Sequence, residues 1–177
     1  MGTPITEDAF AELFHTFRHS AWRWEARTHY ALDYEEADFR QFLAGRPAAP
    51  PDVPWWRPWL DDMQSLTQQG KSIGRVRVLA EPPTDYQRWE MWATPWHTAA
   101  GETIAYMSRS RALSLGLPLD DDWWLFDDER LLLMRFDDSG RIDGKTLITD
   151  TDIIARHCAW RDVAIGSATA TEETPVA

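Results

Sequence analysis

Arg75 and Arg77 alternate with Val76 and Val78, so both guanidiniums leave the same face of one strand. Arg109 and Arg111 follow the next strand. If those two strands are neighbours, the planar side chains could form a fork that holds a phosphate or carboxylate through paired hydrogen bonds. Arg75, Arg77 and Arg109 are therefore the candidate site for a small anionic ligand. The competing role is ion pairing with acidic residues such as Glu81, Glu90 or Glu102, which would consume the same donors.

Other reactive residue types do not assemble. His19, Ser20 and Glu25 include the members of a nucleophilic triad, but adjacent strand residues point to opposite faces. His157 and Cys158 are likewise sequential on a helix, and Cys158 reads as a small packing side chain. The clusters Asp120-Asp121-Asp122, Asp127-Asp128 and Asp137-Asp138 lack the ligand spacing and central glycine of a calcium loop. His97 with Glu90 or Glu102 has no paired-histidine spacing for zinc. No catalytic residue, metal site or cofactor is expected. Aromatic residues are the remaining resource, eleven of them tryptophan. Core packing accounts for most, while proline-rich Trp55-Trp56-Arg57-Pro58, with Trp59, is the place for exposed aromatics and partner contact.

These residues need elements to position them. Phe10, Leu13, Phe14 and Phe17 repeat at helical spacing behind Thr6 as N-cap. Residues 22–27 alternate like a strand, with continuation of the first helix as the alternative, and a helix from Glu35 to Leu43 is closed by Gly45. The proline-rich stretch 46–54 is an irregular connection. Trp56, Trp59, Leu60, Met63 and Leu66 mark a helix ending at Gly70, and Arg75–Val78 is a strand. Tyr86 and Trp89 predict a helix before Pro95, then Gly101-Glu102 opens a strand with Ile104 and Tyr106. Trp123–Phe126 and Leu131–Phe136 are apolar runs joined by an acidic turn, which predicts a hairpin of buried strands. A strand at Thr146–Ile148 precedes a final helix capped by Asp150 or Thr151. Helices before, within and after the strands predict an α/β fold, a mixed sheet covered by helices on both faces.

A length of 177 residues suits one domain, expected over residues 1–165 with a disordered tail from 166 to 177. The net charge of −11 opposes direct binding to nucleic acid, which depends on basic residues displacing counterions. Cys158 is the single cysteine, so no intrachain disulfide can form. Without an apolar leader or a membrane-length apolar run, the expected location is the cytoplasm.

His19-Ser20-Ala21-Trp22-Arg23, Arg75-Val76-Arg77-Val78, Arg88-Trp89-Glu90 with Tyr86, Ala100-Gly101-Glu102 and Trp124-Leu125-Phe126-Asp127 together resemble a family of actinobacterial domains of unknown function. Its members are often encoded beside helix-turn-helix regulators. That resemblance implies a non-catalytic regulatory or ligand-binding module acting with a DNA-binding partner. An enzyme acting on a phosphate-containing or aromatic small molecule is the alternative. The order of elements is also similar to one half of a phospholipase D-type domain. Those enzymes need His-x-Lys-x-x-x-x-Asp, whereas Gln69 stands two before Lys71 and Asp143 two before Lys145. Only Asp127 or Asp128 resembles the last element, which implies a catalytically silent copy.

Overall fold

The computed structural model describes residues 2–170. In chain order the elements are β1 (Thr3–Pro4), α1 (Glu7–Thr16), β2 (Ser20–Glu25), α2 (Glu36–Leu43), α3 (Arg57–Gln68) and β3 (Ser72–Leu79). They continue with α4 (Asp85–Ala99), β4 (Thr103–Ser108), α5 (Arg109–Ser114), β5 (Asp122–Phe126), β6 (Arg130–Phe136), β7 (Ile142–Ile148), α6 (Thr151–Ser167) and β8 (Thr169–Ala170). Among the described residues the strands make one sheet in the order β1-β7-β6-β5-β2-β3-β4-β8. β2, β3 and β4 run parallel and the other pairs are antiparallel.

Alternation along the central strands builds two cores. Ala21, Ile73, Trp124, Phe126 and Leu132 face helices α1 to α4, meeting Phe14, Met63 and Trp89. The intervening Trp22, Trp24, Val76, Val78, Trp123 and Leu125 face α5 and α6, meeting Ala112, Ile154 and Ala164. A strand buried on both faces reads as a continuous apolar run, which is why β5 is Asp-Trp-Trp-Leu-Phe. Helix starts follow their caps. Thr6 accepts from Ala9 N–H, Asp150 from Asp152 and Ile153, and Thr84 forms a reciprocal box with Gln87.

Several boundaries differ from expectation. α4 does not stop before Pro95 but runs through it to Ala99. The proline removes one backbone donor, yet Ala93, Thr94 and His97 around it are buried and hold the helix against the sheet. β7 begins at Ile142 because Phe136 pairs with it across a bulge. β1, β8 and α5 are too short to carry a periodic signal. Ordered structure also passes the expected boundary at 166, since α6 continues to Ser167 and Thr169 pairs with Tyr106. The remainder of the expected tail, 171–177, lies outside the described residues. Among the described residues no helix is long and apolar enough to cross a membrane.

Asp127 ties the hairpin to the sheet. Asp127 and Asp128 have φ of 56° and 57°, and Glu129 N–H donates to Phe126 O at 3.0 Å, so the β5–β6 turn is of the left-handed type that matches strand twist. The Asp127 carboxylate accepts from the backbone N–H groups of Arg18 (2.8 Å), His19 (2.7 Å) and Ser20 (3.0 Å), at the start of β2. Desolvation alone would raise its pKa, but these three donations and nearby Arg130 hold it below the ordinary value. Asp127→Asn keeps a residue that tolerates the turn but replaces one acceptor oxygen with a donor. We expect a loss of about 2 kcal/mol in urea unfolding at neutral pH. The folded pKa lies below the unfolded one, so this contribution is complete above about pH 4 and disappears as pH falls through the folded value. A gap under about 0.5 kcal/mol at neutral pH, or one that survives strong acid, would refute the anchoring role.

Candidate functional site

The face of β2 and β3 under helices α1 to α4 carries charge at its centre. Register places Arg23 beside Arg75 and Glu25 beside Arg77 on parallel neighbours. Glu25 collects all three guanidiniums: Arg23 Nη1 at 3.0 Å, Arg75 Nη1 at 3.2 Å and Arg77 Nε at 2.6 Å. Arg75 also pairs with Glu102, Arg77 Nη2 approaches Glu90 at 3.5 Å, and Arg23 Nη2 approaches Asp122 at 3.5 Å. Asp122 in turn accepts from the Tyr30 hydroxyl and from Ala26 N–H. Arg23 Nε and Arg75 Nε are buried without a hydrogen-bond partner, and both guanidiniums lie against ring faces, Arg23 on Tyr30 and Arg75 on Trp59.

His97 extends the chain from Glu102. Its Nδ1 meets Glu102, while Nε2 faces Trp56 Nε1 at 3.0 Å. An indole N–H can only donate, so Nε2 must be the acceptor and Nδ1 carries the proton. The imidazole is therefore neutral. Burial lowers its pKa, against the opposing effect of Glu102. With both nitrogens engaged, His97 is a link between Trp56 and Glu102 and has no free atom for attack.

The five carboxyl groups divide by environment. Burial opposes ionisation of Glu25 and Glu102, but Arg23, Arg77 and Arg75 hold Glu25 far below its ordinary range, and Arg75 with His97 holds Glu102 at about 2. Burial wins at the others. It pushes Glu90 to about 8 despite Arg77, Glu35 to about 7 despite the Tyr86 hydroxyl, and Asp122 to about 6 despite Arg23 and Tyr30.

Above this floor lies a cleft of roughly 600 Å³. Its walls are aromatic: Trp55, Trp56, Trp59 and Trp89 from α3, α4 and the approach to α3, with Tyr34, Tyr86 and Phe10. Trp55 stacks on Trp56 at 4.7 Å between ring centroids, and Trp55 Nε1 donates to Asp38 at 2.8 Å. A mainly apolar hollow with a few convergent polar groups is the usual form of a small-molecule site.

The expected site residues scatter. Arg75 and Arg77 do share one face and line the cleft, with their forks engaged by carboxylates. Arg109 does not join them: it opens α5, and its guanidinium donates to Ala26 O at 3.3 Å. Its position after β4 places it at the strand ends, away from the cleft. Trp55, Trp56 and Trp59 are not an exposed patch. Trp56 is buried and the other two are half-buried, because the short 3-10 turn Pro50–Asp52 and helix α3 fold them over the floor. Asp127 is spent on backbone donors, and Asp128 pairs with Arg161 at the surface. His19 is exposed at the start of β2, at the opposite end from Glu25. Sequence reading missed Arg23, Tyr30, Glu35 and Asp122. The alternation Arg23-x-Glu25, matching Arg75-x-Arg77, was the available signal for the first, whereas Tyr30 sits in a loop with no pattern and Glu35 read only as the start of a helix.

The architecture is the mixed α/β sheet with helices on both faces that the order of elements predicted. NucT from Helicobacter pylori superposes with a TM-score of 0.50 over 96% of this chain and 98% of its own, at 11% identity. Nuc from Salmonella typhimurium, described as a phospholipase D family member, gives 0.49 over 92% and 90%, at 10% identity. At 11% identity the likeness to NucT is one of fold. No curated protein matches the chain in sequence. The model of the family described as Domain of unknown function (DUF6879) matches residues 8–174, nearly the whole chain, which therefore belongs to the DUF6879 family.

Proposed function

We propose that this chain is a non-catalytic module that captures a small aromatic molecule in its cleft and acts with a DNA-binding regulator. The observation that carries the binding half is the cleft itself, a ring-walled hollow over a fixed polar floor. Non-catalytic action is supported by how the reactive groups are used. His97 has both nitrogens engaged, Asp127 holds backbone, and the guanidiniums are paired. The regulatory half rests on the sequence resemblance to domains encoded beside helix-turn-helix proteins, and the charge of −11 leaves the DNA contact to such a partner.

Indole, as a minimal planar probe, tests the cleft. At ten times its dissociation constant it adds about 1.4 kcal/mol to stability, a rise of roughly 2–4 °C in melting temperature for a chain of this size. Trp55→Ala removes one stacked ring at the cleft wall and is expected to abolish most of that rise. An equal rise in wild type and variant, or none in wild type, would sink the aromatic-cleft reading.

One observation favours a second, enzymatic reading. Carboxyl groups driven in opposite directions, Glu90 up and Glu25 down, are the arrangement an acid–base pair requires. We expect no turnover of a chromogenic phosphodiester by the purified chain near neutral pH. Turnover that disappears in Glu90→Gln would replace the binding reading with the enzymatic one.

A further inference from the structure

Three guanidiniums, those of Arg23, Arg75 and Arg77, stand against five carboxyl groups around the cleft, Glu25, Glu35, Glu90, Glu102 and Asp122, while Lys145 and Glu7 at its edge neutralise each other. Fully ionised, the cluster is two positive charges short. The shortage is local. Glu25 and Glu102 are gripped by arginine, whereas Glu90 reaches Arg77 only at 3.5 Å. Glu35 makes no ion pair among the described residues, and its partner is the Tyr86 hydroxyl at 2.5 Å. Glu90 lies one helical turn after Tyr86 on α4, so both carboxyls belong to the same wall.

That wall is surrounded by rings. Tyr86 packs on Trp89, Trp89 on Trp56, and Trp56 on Trp55. The negative face of an aromatic ring attracts a cation, most strongly where water is excluded. The cleft already uses that contact: Arg23 lies 5.7 Å from the Tyr30 and Trp124 ring centres, and Arg75 lies 5.8 Å from Trp59 and Trp124.

We propose that the ligand of the cleft is an organic cation, an ammonium group on an aromatic body, with its charge against Glu35 and Glu90 and its ring on Trp55 and Trp56. This assignment rests on the aromatic-cleft reading above and names the chemical class it selects. An anion would enlarge the existing negative surplus, and the guanidiniums that might receive it are committed to carboxylates. Arg23 Nε and Arg75 Nε are unpaired, but they are covered by protein. In the unliganded protein the two carboxyls relieve the shortage by holding protons, which is the sense in which burial shifts them, to about 7 for Glu35 and about 8 for Glu90. A bound ammonium would take the place of those protons.

Three probes that share one ring separate the charge question from the ring question: tryptamine, indole and indole-3-acetate. Each is titrated by calorimetry into the full chain at about pH 8, where an alkylammonium with a pKa of about 10 stays charged. Tryptamine is expected to bind at least about tenfold tighter than indole-3-acetate, a difference of about 1.4 kcal/mol. Glu35→Gln and Glu90→Gln keep an acceptor of the same shape and remove the charge. Each is expected to weaken tryptamine about fivefold or more and to leave indole within about twofold. Equal binding of the three probes, or preference for indole-3-acetate, overturns the amine assignment and leaves the cleft reading standing. Unchanged tryptamine affinity in both variants also overturns it. If none of the probes binds, both readings fall. A variant that loses indole as well has lost its fold, and the ranking of the three probes on wild type then decides alone.

Discussion

Glu25 is the point on which this structure turns. One buried carboxylate receives Arg23, Arg75 and Arg77, and without it three guanidiniums would face one another across two strands. Removing one side of a buried ion pair costs about 3–5 kcal/mol, and here Glu102, Glu90 and Asp122 would be left as the remaining partners of Arg75, Arg77 and Arg23. The same contact sets register. A slip of one residue between β2 and β3 would exchange Arg23 and Glu25 for Trp22 and Trp24, driving charge into the tryptophan core on the far face. The polar cluster therefore selects the pairing as much as it stabilises it.

The two faces of the sheet are consequently unlike. Under α5 and α6 the contacts are apolar, with Trp22, Trp24 and Trp123 packed against one another at centroid distances of 5.2 to 6.4 Å. Under α1 to α4 the sheet instead presents the charged floor, and helices cannot close tightly over it without desolvating more charge. Rings do the covering. Trp56, Trp59 and Trp124 border the guanidiniums with a surface that is apolar enough for a core and polarisable enough to tolerate a cation. Incomplete closure of that layer is the cleft.

The likeness to NucT at 11% identity is a likeness of chain path. A fold hosts unrelated activities, and what this chain does must be argued from the side chains it places on that path. Here the strand positions that face the helices are occupied by a closed network of arginine and carboxylate, with the histidine tied at both nitrogens. Most polar atoms of that network have a partner inside the protein, and Arg23 Nε and Arg75 Nε are the guanidinium atoms left over.

Much of the fold was determined by the sequence alone, because the signals are local. Alternation marks β3, continuous apolar runs mark β5 and β6, and Thr6 and Asp150, the latter one of two candidates with Thr151, are caps whose side chains act within three residues. The same locality placed Arg75 and Arg77 on one face. It could not say what they would meet. Glu25 reaches Arg75 across 50 residues, and Tyr30 reaches Asp122 across 92. Whether an arginine is a ligand fork or one arm of an ion pair depends on those distant partners, so only the tertiary structure decided it. The same holds for Trp55, Trp56 and Trp59, whose proline-rich setting suggested exposure until α3 folded them over the charged floor. Burial is a property of the assembled layers, and the local chain carries no record of which layer will cover it.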